Sequence, residues 1–206
     1  MHLILTGATG LVGAAVLDSM LAQETISRIS ILSRRPVKMA EGHKKAKVII
    51  HNDFKTYDKS LLDQLKDAQG CVWALGVSQN DVNKEHVTSP LPMDLCLLTL
   101  LQKIETALLN FRKQNPNFRA YSVRPGGVDW TAHPEIQPFI PSQPAWKGAM
   151  VAPMNLVYKS MMTPTKPMGE VFTKLAMSNG EPLEGTGVGL DGTLLKNVGI
   201  RRMSGL

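Results

Sequence analysis

The sequence predicts a single α/β domain in which helices cover both faces of a doubly wound parallel sheet. Short apolar runs bounded by turn residues alternate with segments whose apolar residues recur at helical spacing. A glycine-rich turn separates the first apolar run from the first helical segment. Strands that alternate with helices at this pace are typical of parallel βαβ units with right-handed crossovers.

The length and composition fit one domain that spans residues 1–206. Apolar residues make up 43% of the chain and charged residues 19%, which is ordinary for a globular domain with one core. No apolar run predicts a transmembrane helix, because Gln102, Lys103 and Glu105 interrupt the most leucine-rich stretch. The first strand begins almost at Met1, so we expect no leader peptide. Two cysteines predict neither a disulfide framework nor a metal site, and we expect a cytoplasmic protein.

The net charge is +6, and part of it lies in a cluster formed by Lys44, Lys45 and Lys47. No aromatic residues that could stack on bases are interleaved with these lysines, so we expect no nucleic-acid partner. A solvated basic loop is one interpretation, and attraction of phosphorylated ligands is the other. The expected partner is a small-molecule substrate, and the sequence carries no signal for an oligomeric state.

Four strands and two helices are predicted in the first half of the chain. The strands are short apolar runs, and Pro36 ends the second of them because proline has no N–H to donate. Apolar residues at helical spacing, such as Val12, Val16 and Met20, predict the first helix. The predicted strands cover residues 2–6, 29–33, 47–51 and 70–76, and the predicted helices cover 11–23 and 58–67.

The second half combines regular elements with a proline-rich segment. Five prolines between residues 133 and 155 predict mostly loop, with one helical turn near 146–150. We assign a loop-rich substrate side to about 128–165. The predicted regular elements are a helix at about 93–114, a strand at 118–124, a helix at 168–177 and a last short strand near 197–200.

Three glycines spaced three apart, Gly7, Gly10 and Gly13, stand between the first strand and the first helix. The first lets the chain turn sharply, the second lets a pyrophosphate approach the backbone, and the third lets the helix pack closely on the sheet. The helix beginning near Leu11 then directs free N–H groups and its positive dipole end at the phosphates. This context predicts a dinucleotide site; glycines that serve only a tight turn are the alternative.

The end of the second strand predicts which dinucleotide binds. An acidic residue there would bind the ribose 2′-hydroxyl of NAD, but this chain has Ser33, Arg34 and Arg35. Arginine pairs with phosphate through a planar fork of donors, so NADP is expected and NAD is less favoured. Two solvated arginines in a turn are the alternative. Asp53, which follows the third strand, is a candidate to accept a hydrogen bond from the adenine amino group.

Three motifs together resemble the extended or atypical short-chain dehydrogenase/reductases. They are Thr6-Gly7-Ala-Thr-Gly10-Leu-Val-Gly13, the strand end Ala74-Leu75-Gly76, and the turn Tyr121-Ser-Val-Arg-Pro-Gly-Gly127. Within that family, the chain resembles fungal NAD(P)-binding proteins related to the Tat-interacting oxidoreductase-like proteins. The resemblance implies a Rossmann domain that binds NADP(H), with relatives that reduce or oxidise small carbonyl and alcohol groups.

The resemblance also implies which residues contact the cofactor, from the pyrophosphate to the nicotinamide. The implied residues are Gly7, Thr9, Gly10, Leu11, Val12 and Gly13 around the pyrophosphate, Ser33, Arg34 and Arg35 at the 2′-phosphate, Asp53 at the adenine, Ala74, Leu75 and Gly76 on the ribose side, and Pro125 and Gly126 beside the nicotinamide.

The family's proton donor is absent from this sequence. The family uses a tyrosine whose pKa is lowered by a lysine one helical turn later. The three tyrosines, Tyr57, Tyr121 and Tyr158, are followed four residues later by leucine, proline and methionine. On the helix that would carry the pair, Leu97 and Leu101 stand at the tyrosine and lysine positions. The catalytic residues are therefore unassigned.

The middle of the chain is short. Residues 77–117 number 41, where two helices, a strand and their loops would need about 55 to 75. One central strand unit is therefore expected to be missing, through a deletion or through mis-splicing that places residues 87–101 there. A crossover helix at about 93–114 could still join the fourth strand to the strand at 118–124. A poor substitute strand at 95–101 is the alternative, although leucine without β-branched residues favours a helix.

Two functions from different classes follow from these observations. One is an NADP(H)-dependent oxidoreductase that acts on a small carbonyl, alcohol or quinone. The other is an NADP(H)-binding regulatory protein, or a truncated inactive chain, without the tyrosine–lysine pair. The remaining polar candidates are His86 and Lys103 for proton transfer and Ser78 for the nicotinamide ribose, whereas Trp73 and Trp146 are interpreted as packing residues.

Overall fold

A four-stranded parallel sheet in the order β3-β2-β1-β4 lies at the centre of the fold. The structure is a computed structural model that describes residues 1–75, 93–157 and 159–206. In the sheet, Leu5 lies between Ile31 on one neighbouring strand and Val72 on the other. The strands are β1 (His2–Thr6), β2 (Arg28–Ser33), β3 (Ala46–Ile50) and β4 (Gly70–Trp73).

Helices cover this sheet, so the predicted α/β class is confirmed. The helices at Leu11–Ala22 and Thr165–Met177 pack closely where they meet at Gly169. A Cβ on Gly169 would lie only 2.2 Å from the carbonyl oxygen of Ala15, so a larger residue would not fit there. Leu3, Leu5 and Ile29 are fully buried beneath that helix pair. The helices are α1 (Leu11–Ala22), α2 (Lys59–Leu65), α3 (Met93–Gln114), α4 (Ala145–Val157), α5 (Thr165–Met177) and α6 (Asn197–Met203).

The opposite face of β4 is much more exposed. Side chains alternate between the two faces of a strand, and Val72 is buried whereas Trp73 is 54% exposed. Trp73 therefore lies outside the buried core, although its ring packs edge to face against Phe54.

The strands of the second half do not extend the central sheet in the described residues. The expected strand at 118–124 is reduced to residues 122–124, and it pairs in parallel with a strand near the C-terminus rather than with β4. Among the described residues, β5 therefore belongs to a separate sheet and does not lie beside β4. The strands are β5 (Ser122–Arg124), β6 (Gly127–Asp129), β7 (Met162–Pro164), β8 (Val188–Gly189) and β9 (Leu194–Lys196); β5-β9-β8 form one sheet and β6-β7 another.

Two further expectations were wrong. The segment around 146–150 is a 13-residue helix, α4, that contains Pro153; most of the prolines lie before it, where they do not interrupt its hydrogen bonds. The expected strand at 197–200 is the start of α6. Val198 and Ile200 alternate as in a strand, but four residues are too few to separate a strand period from a helical one.

Candidate dinucleotide site

The glycine turn after β1 has a backbone conformation that favours glycine. Gly7 has a φ of +76°, in the left-handed region, and a Cβ there would lie 2.3 Å from the carbonyl oxygen of Ala74. A Cβ on Gly13 would lie 2.0 Å from the carbonyl oxygen of Gly7. Both positions therefore require glycine for the fold itself, whether or not a ligand binds.

Gly10 differs from its two partners. Its N–H donates to the carbonyl oxygen of Gly7 at 2.9 Å, and its carbonyl oxygen accepts from the N–H of Ala14 at 2.9 Å. A Cβ on Gly10 would approach the Gly7 carbonyl oxygen no closer than 3.4 Å, which is ordinary van der Waals contact. The described contacts thus tolerate a side chain at position 10. Because glycine has no side chain, the backbone there is open to a ligand.

The N-terminus of α1 is uncapped. Gly10 is the N-cap residue, no side chain among the residues that the structure describes accepts a hydrogen bond from the first turn, and that turn contains no acidic residue. Thr9, Leu11 and Val12 are partly exposed there. Unpaired N–H groups at the positive end of a helix dipole bind anions. The hydroxyl of the preceding Thr6 is buried without a hydrogen-bond partner among the described residues.

The end of β2 carries two exposed cations. The buried Ser33 hydroxyl oxygen accepts a hydrogen bond from the N–H of Arg35 at 3.3 Å, which fixes the turn. Arg34 and Arg35 are both exposed. Neither guanidinium has an ion-pair partner in the part of the chain that the structure describes. Both can therefore pair with an added anion.

Asp53 stabilises its own turn. Its carboxylate accepts hydrogen bonds from the N–H of Lys55 at 2.9 Å and the hydroxyl of Thr56 at 2.8 Å. These two hydrogen bonds hold the pKa of Asp53 below its usual range. A carboxylate has more than two acceptor positions, so these bonds leave room for one from an adenine amino group.

A cluster of four rings at the carboxyl ends of β3 and β4 was missed as a group by the sequence analysis. His51 stacks on Tyr57 with ring centroids 5.1 Å apart, and Phe54 meets Trp73 edge to face at 5.8 Å. The ring Nε2 of His51 is buried without a partner among the described residues. Each ring lies at or after the carboxyl end of a strand in the same parallel sheet. That shared position in the sequence could have predicted the cluster.

The structure brings the end of β4 against the glycine turn. The N–H of Ala74 donates to the carbonyl oxygen of Thr6 at 3.3 Å, and the carbonyl of Ala74 faces Gly7. Leu75 is adjacent, since its nitrogen would lie 3.0 Å from a Cβ on Gly7. The strand ends at Trp73, three residues before the predicted end. Gly76, Ser78 and His86 lie outside the described residues.

The turn between β5 and β6 is fastened at its second residue. The N–H of Gly126 donates to Oδ1 of Asn197 at 2.8 Å, and a Cβ on Gly126 would lie 2.3 Å from the carbonyl oxygen of Met161. Pro125 precedes it and is partly buried. Val12 of α1 and Val128 of β6 pack against the same apolar cluster. The first turn of α1 and the β5–β6 region therefore share one core.

Neither described tyrosine has a lysine partner that could tune it. Burial raises the pKa of Tyr57, which stacks on His51, and the hydroxyl of Tyr121 donates to the carbonyl oxygen of Glu181 at 2.5 Å. Lys103 is exposed on α3. Tyr158 lies outside the described residues. Within residues 1–75, 93–157 and 159–206, the structure holds no tyrosine–lysine pair.

The described residues contain neither a membrane-spanning helix nor a cluster of metal ligands. No helix among them combines the length and apolar character needed to cross a membrane. No group of three or more histidine, cysteine or acidic side chains among them could hold a metal ion.

Solved structures share this fold. The chain is similar to the KRED1-Pglu enzyme, with a TM-score of 0.60 and 15% identity over 94% of this chain and 99% of that one. It is also similar to a short-chain dehydrogenase/reductase family oxidoreductase from Burkholderia thailandensis, with a TM-score of 0.55 and 15% identity over 96% of this chain and 91% of that one. The resemblance found in the sequence motifs is thus confirmed in the fold.

Two curated fungal proteins are similar in sequence, whereas no family model matches the chain. Leucinostatins biosynthesis cluster protein T of Purpureocillium lilacinum is 28% identical over 254 aligned positions, which cover 98% of this chain and 94% of that protein. Since 98% of 206 residues is about 202, about 50 of those positions have no counterpart here.

The second relative matches a shorter part of the chain at higher identity. Botcinic acid biosynthesis cluster B protein 16 of Botryotinia fuckeliana is 37% identical over 110 residues, which cover 50% of this chain and 69% of that protein. The chain therefore belongs to the family of this fungal biosynthesis-cluster protein, and it has the fold of the short-chain dehydrogenase/reductases.

Proposed function

We propose that the chain binds NADP(H) at the glycine turn and is an atypical short-chain oxidoreductase that acts on a small carbonyl, alcohol or quinone. The main support for the proposal is that packing explains two of the three glycines but not the third. Backbone contacts explain Gly7 and Gly13, whereas no contact with the described residues requires glycine at Gly10. A turn kept free of side chains beside an uncapped helix N-terminus fits a diphosphate.

The preference for NADP(H) over NAD(H) rests on the end of β2. An exposed pair, Arg34 and Arg35, follows the strand that neighbours β1, and no acidic residue stands there. Guanidinium groups bind a phosphate through paired N–H donors. The 2′-phosphate is the only group by which NADP differs from NAD, so these side chains favour NADP.

The remaining predicted residues would hold the two ends of the cofactor. Asp53 and the ring cluster would border the adenine, and Pro125 and Gly126 would border the nicotinamide. When bound, the nicotinamide supplies a hydride to a carbonyl carbon or removes one from an alcohol carbon. Because the described residues offer no tyrosine–lysine pair, the proton on the substrate oxygen would be exchanged with water.

Calorimetric titration with NADPH and NADH tests the binding step. We expect heat from both coenzymes, with tighter binding of NADPH. The absence of heat from either coenzyme would refute a dinucleotide site, and tighter binding of NADH would refute the role of the arginines.

Turnover is tested separately, by following NADPH oxidation with a panel of quinones, aldehydes and ketones. We expect oxidation above background with at least one class. The variant Gly10→Ala, whose fold the structure predicts to be intact, is the matched control and should lose both binding and turnover.

An NADP(H)-binding protein without catalysis is the second candidate. It is favoured by the absent tyrosine–lysine pair, by the roughly 50 positions missing relative to the longer relative, and by the exposure of Trp73. Binding of NADPH without turnover of any compound in the panel would support it. A damaged chain predicts instead a low melting temperature that NADPH raises little.

A further inference from the structure

Asn197, the first residue of α6, links that helix to two other segments of the chain. Its Oδ1 accepts hydrogen bonds from the N–H of Gly126, at 2.8 Å, and from the hydroxyl of Thr163. Its Nδ2 donates to the carbonyl oxygen of Ser160 at 2.9 Å. Both ends of the amide are therefore in use, and no other side chain of similar length offers an acceptor and a donor in this arrangement.

The turn that Asn197 holds is also tightly packed. A Cβ on Gly126 would lie 2.3 Å from the carbonyl oxygen of Met161 and 3.0 Å from Cγ of Asn197. Arg201, one helical turn further along α6, donates to the carbonyl oxygen of Met162. Through Asn197 and Arg201, α6 thus holds the β5–β6 turn at a fixed distance from residues 159–164.

The position of Asn197 is set by strand pairing. Lys196, the last residue of β9, lies in register with Arg124, the last residue of β5. Because β5 and β9 are parallel, both strands end at the same edge of the sheet, and the residues that follow them meet there. Asn197 therefore faces Gly126 as a consequence of the β5–β9 register.

We propose that Asn197 is a positioning residue for the nicotinamide end of the cofactor, acting through the Pro125–Gly126 turn. This inference rests on the proposed function, because the turn borders the nicotinamide only if NADP(H) binds at the glycine turn. Among the described residues, the hydrogen-bond partners of the Asn197 side chain are Gly126, Thr163 and Ser160, and they include neither the glycine turn nor the arginines after β2. Its loss should therefore affect one end of the cofactor and spare the other.

The test compares two ligands, NADPH and 2′,5′-ADP, which lacks the nicotinamide, by calorimetry on the full chain. In the Asn197→Ala variant we expect NADPH to bind about tenfold more weakly, the effect of one to two lost hydrogen bonds. Binding of 2′,5′-ADP should change less than about twofold. The Gly126 amide should also exchange its hydrogen faster, because its acceptor is gone.

Two further variants separate positioning from folding. Asn115→Ala removes an amide whose Nδ2 donates one hydrogen bond of 3.0 Å to the Phe111 carbonyl oxygen. It should leave the affinities for NADPH and 2′,5′-ADP unchanged. Asn197→Asp keeps the acceptor for Gly126 but loses the donor to Ser160, so its NADPH affinity should lie between that of the wild type and that of Asn197→Ala. Equal losses for both ligands, or an unchanged NADPH affinity in Asn197→Ala, would overturn the positioning role. A wild-type chain that binds neither ligand would instead overturn the proposed function.

Discussion

Glu105 of α3 and Arg124 of β5 form a two-pronged ion pair, in which Nε and Nη2 of the arginine each lie 2.7 Å from a carboxylate oxygen. The glutamate side chain is only 8% exposed and that of the arginine 29%. Paired hydrogen bonds between a guanidinium and a carboxylate are strong and geometrically specific. This pair fastens α3 to the sheet that contains β5.

We expect Arg124→Leu to destabilise the protein by about 2 kcal/mol, because it leaves the buried Glu105 carboxylate without its partner. Chemical denaturation would measure the change in the free energy of unfolding. The exposed pair between Lys166 and Glu135, with side chains 52% and 48% exposed, is the matched control. Glu135→Gln should cost less than about 1 kcal/mol. Similar losses in both variants would contradict the importance of the buried pair.

Alanine at each of the three glycines should separate folding from binding. Gly7→Ala and Gly13→Ala place a Cβ within 2.3 Å of backbone atoms, so we expect a large drop in melting temperature. Gly10→Ala should melt within a few degrees of the wild-type protein, since its Cβ meets nothing closer than 3.4 Å. It should nevertheless bind NADPH at least about tenfold more weakly, by calorimetry. Unaltered NADPH binding by Gly10→Ala would argue that this glycine serves only the turn.

The double variant Arg34→Ala and Arg35→Ala should distinguish the two coenzymes. Loss of the guanidinium groups should weaken NADPH binding by about tenfold to a hundredfold and change NADH binding little. Lys44→Ala removes an exposed positive charge from the basic loop and serves as the control for general electrostatic attraction. Equal weakening of NADPH and NADH would contradict a 2′-phosphate site.

The thiol of Cys71 should react slowly at neutral pH. Cys71 as a whole residue is exposed, but burial around its sulfur raises the pKa of Cys71 to about 11, and the thiolate is the reactive form. In a Cys96→Ser background, we expect the rate of alkylation by iodoacetamide to be still rising at pH 10. An unfolded control should reach its maximal rate at lower pH. A plateau near pH 9 in the folded protein would show that the thiol is solvated.

The first half of the chain was predicted well because each signal there is local. The apolar runs before Gly7 and before Arg34 carry the strand period and their own stop signals, and the register of β1 with β2 follows from burial on both sides. The helix at 93–114 was predicted with its observed ends. In each case neighbouring residues determine the element, so the sequence pattern suffices.

The predictions for the second half were wrong where contacts between residues far apart in sequence determine the structure. Residues 118–121 have a strand-like composition, but β5 begins only at Ser122, where β9 supplies a partner. The contact between Gly126 and Asn197 joins residues 71 positions apart, and no local pattern announces it. For the candidate site, the glycines and arginines could be read from the sequence, whereas the ring cluster and the Asn197 contacts could not.

The packing of α5 against α1 and β4 has a consequence for the order in which the chain is made. Gly169 lies against Ala15, and a Cβ on Gly70 would lie 2.0 Å from the carbonyl oxygen of Ala176. The helix that covers the first sheet is thus translated after all four of its strands. A nascent chain that stops before Thr165 would have only α1 of this helix pair, so the apolar face of the first sheet can complete its packing only after α5 has been made.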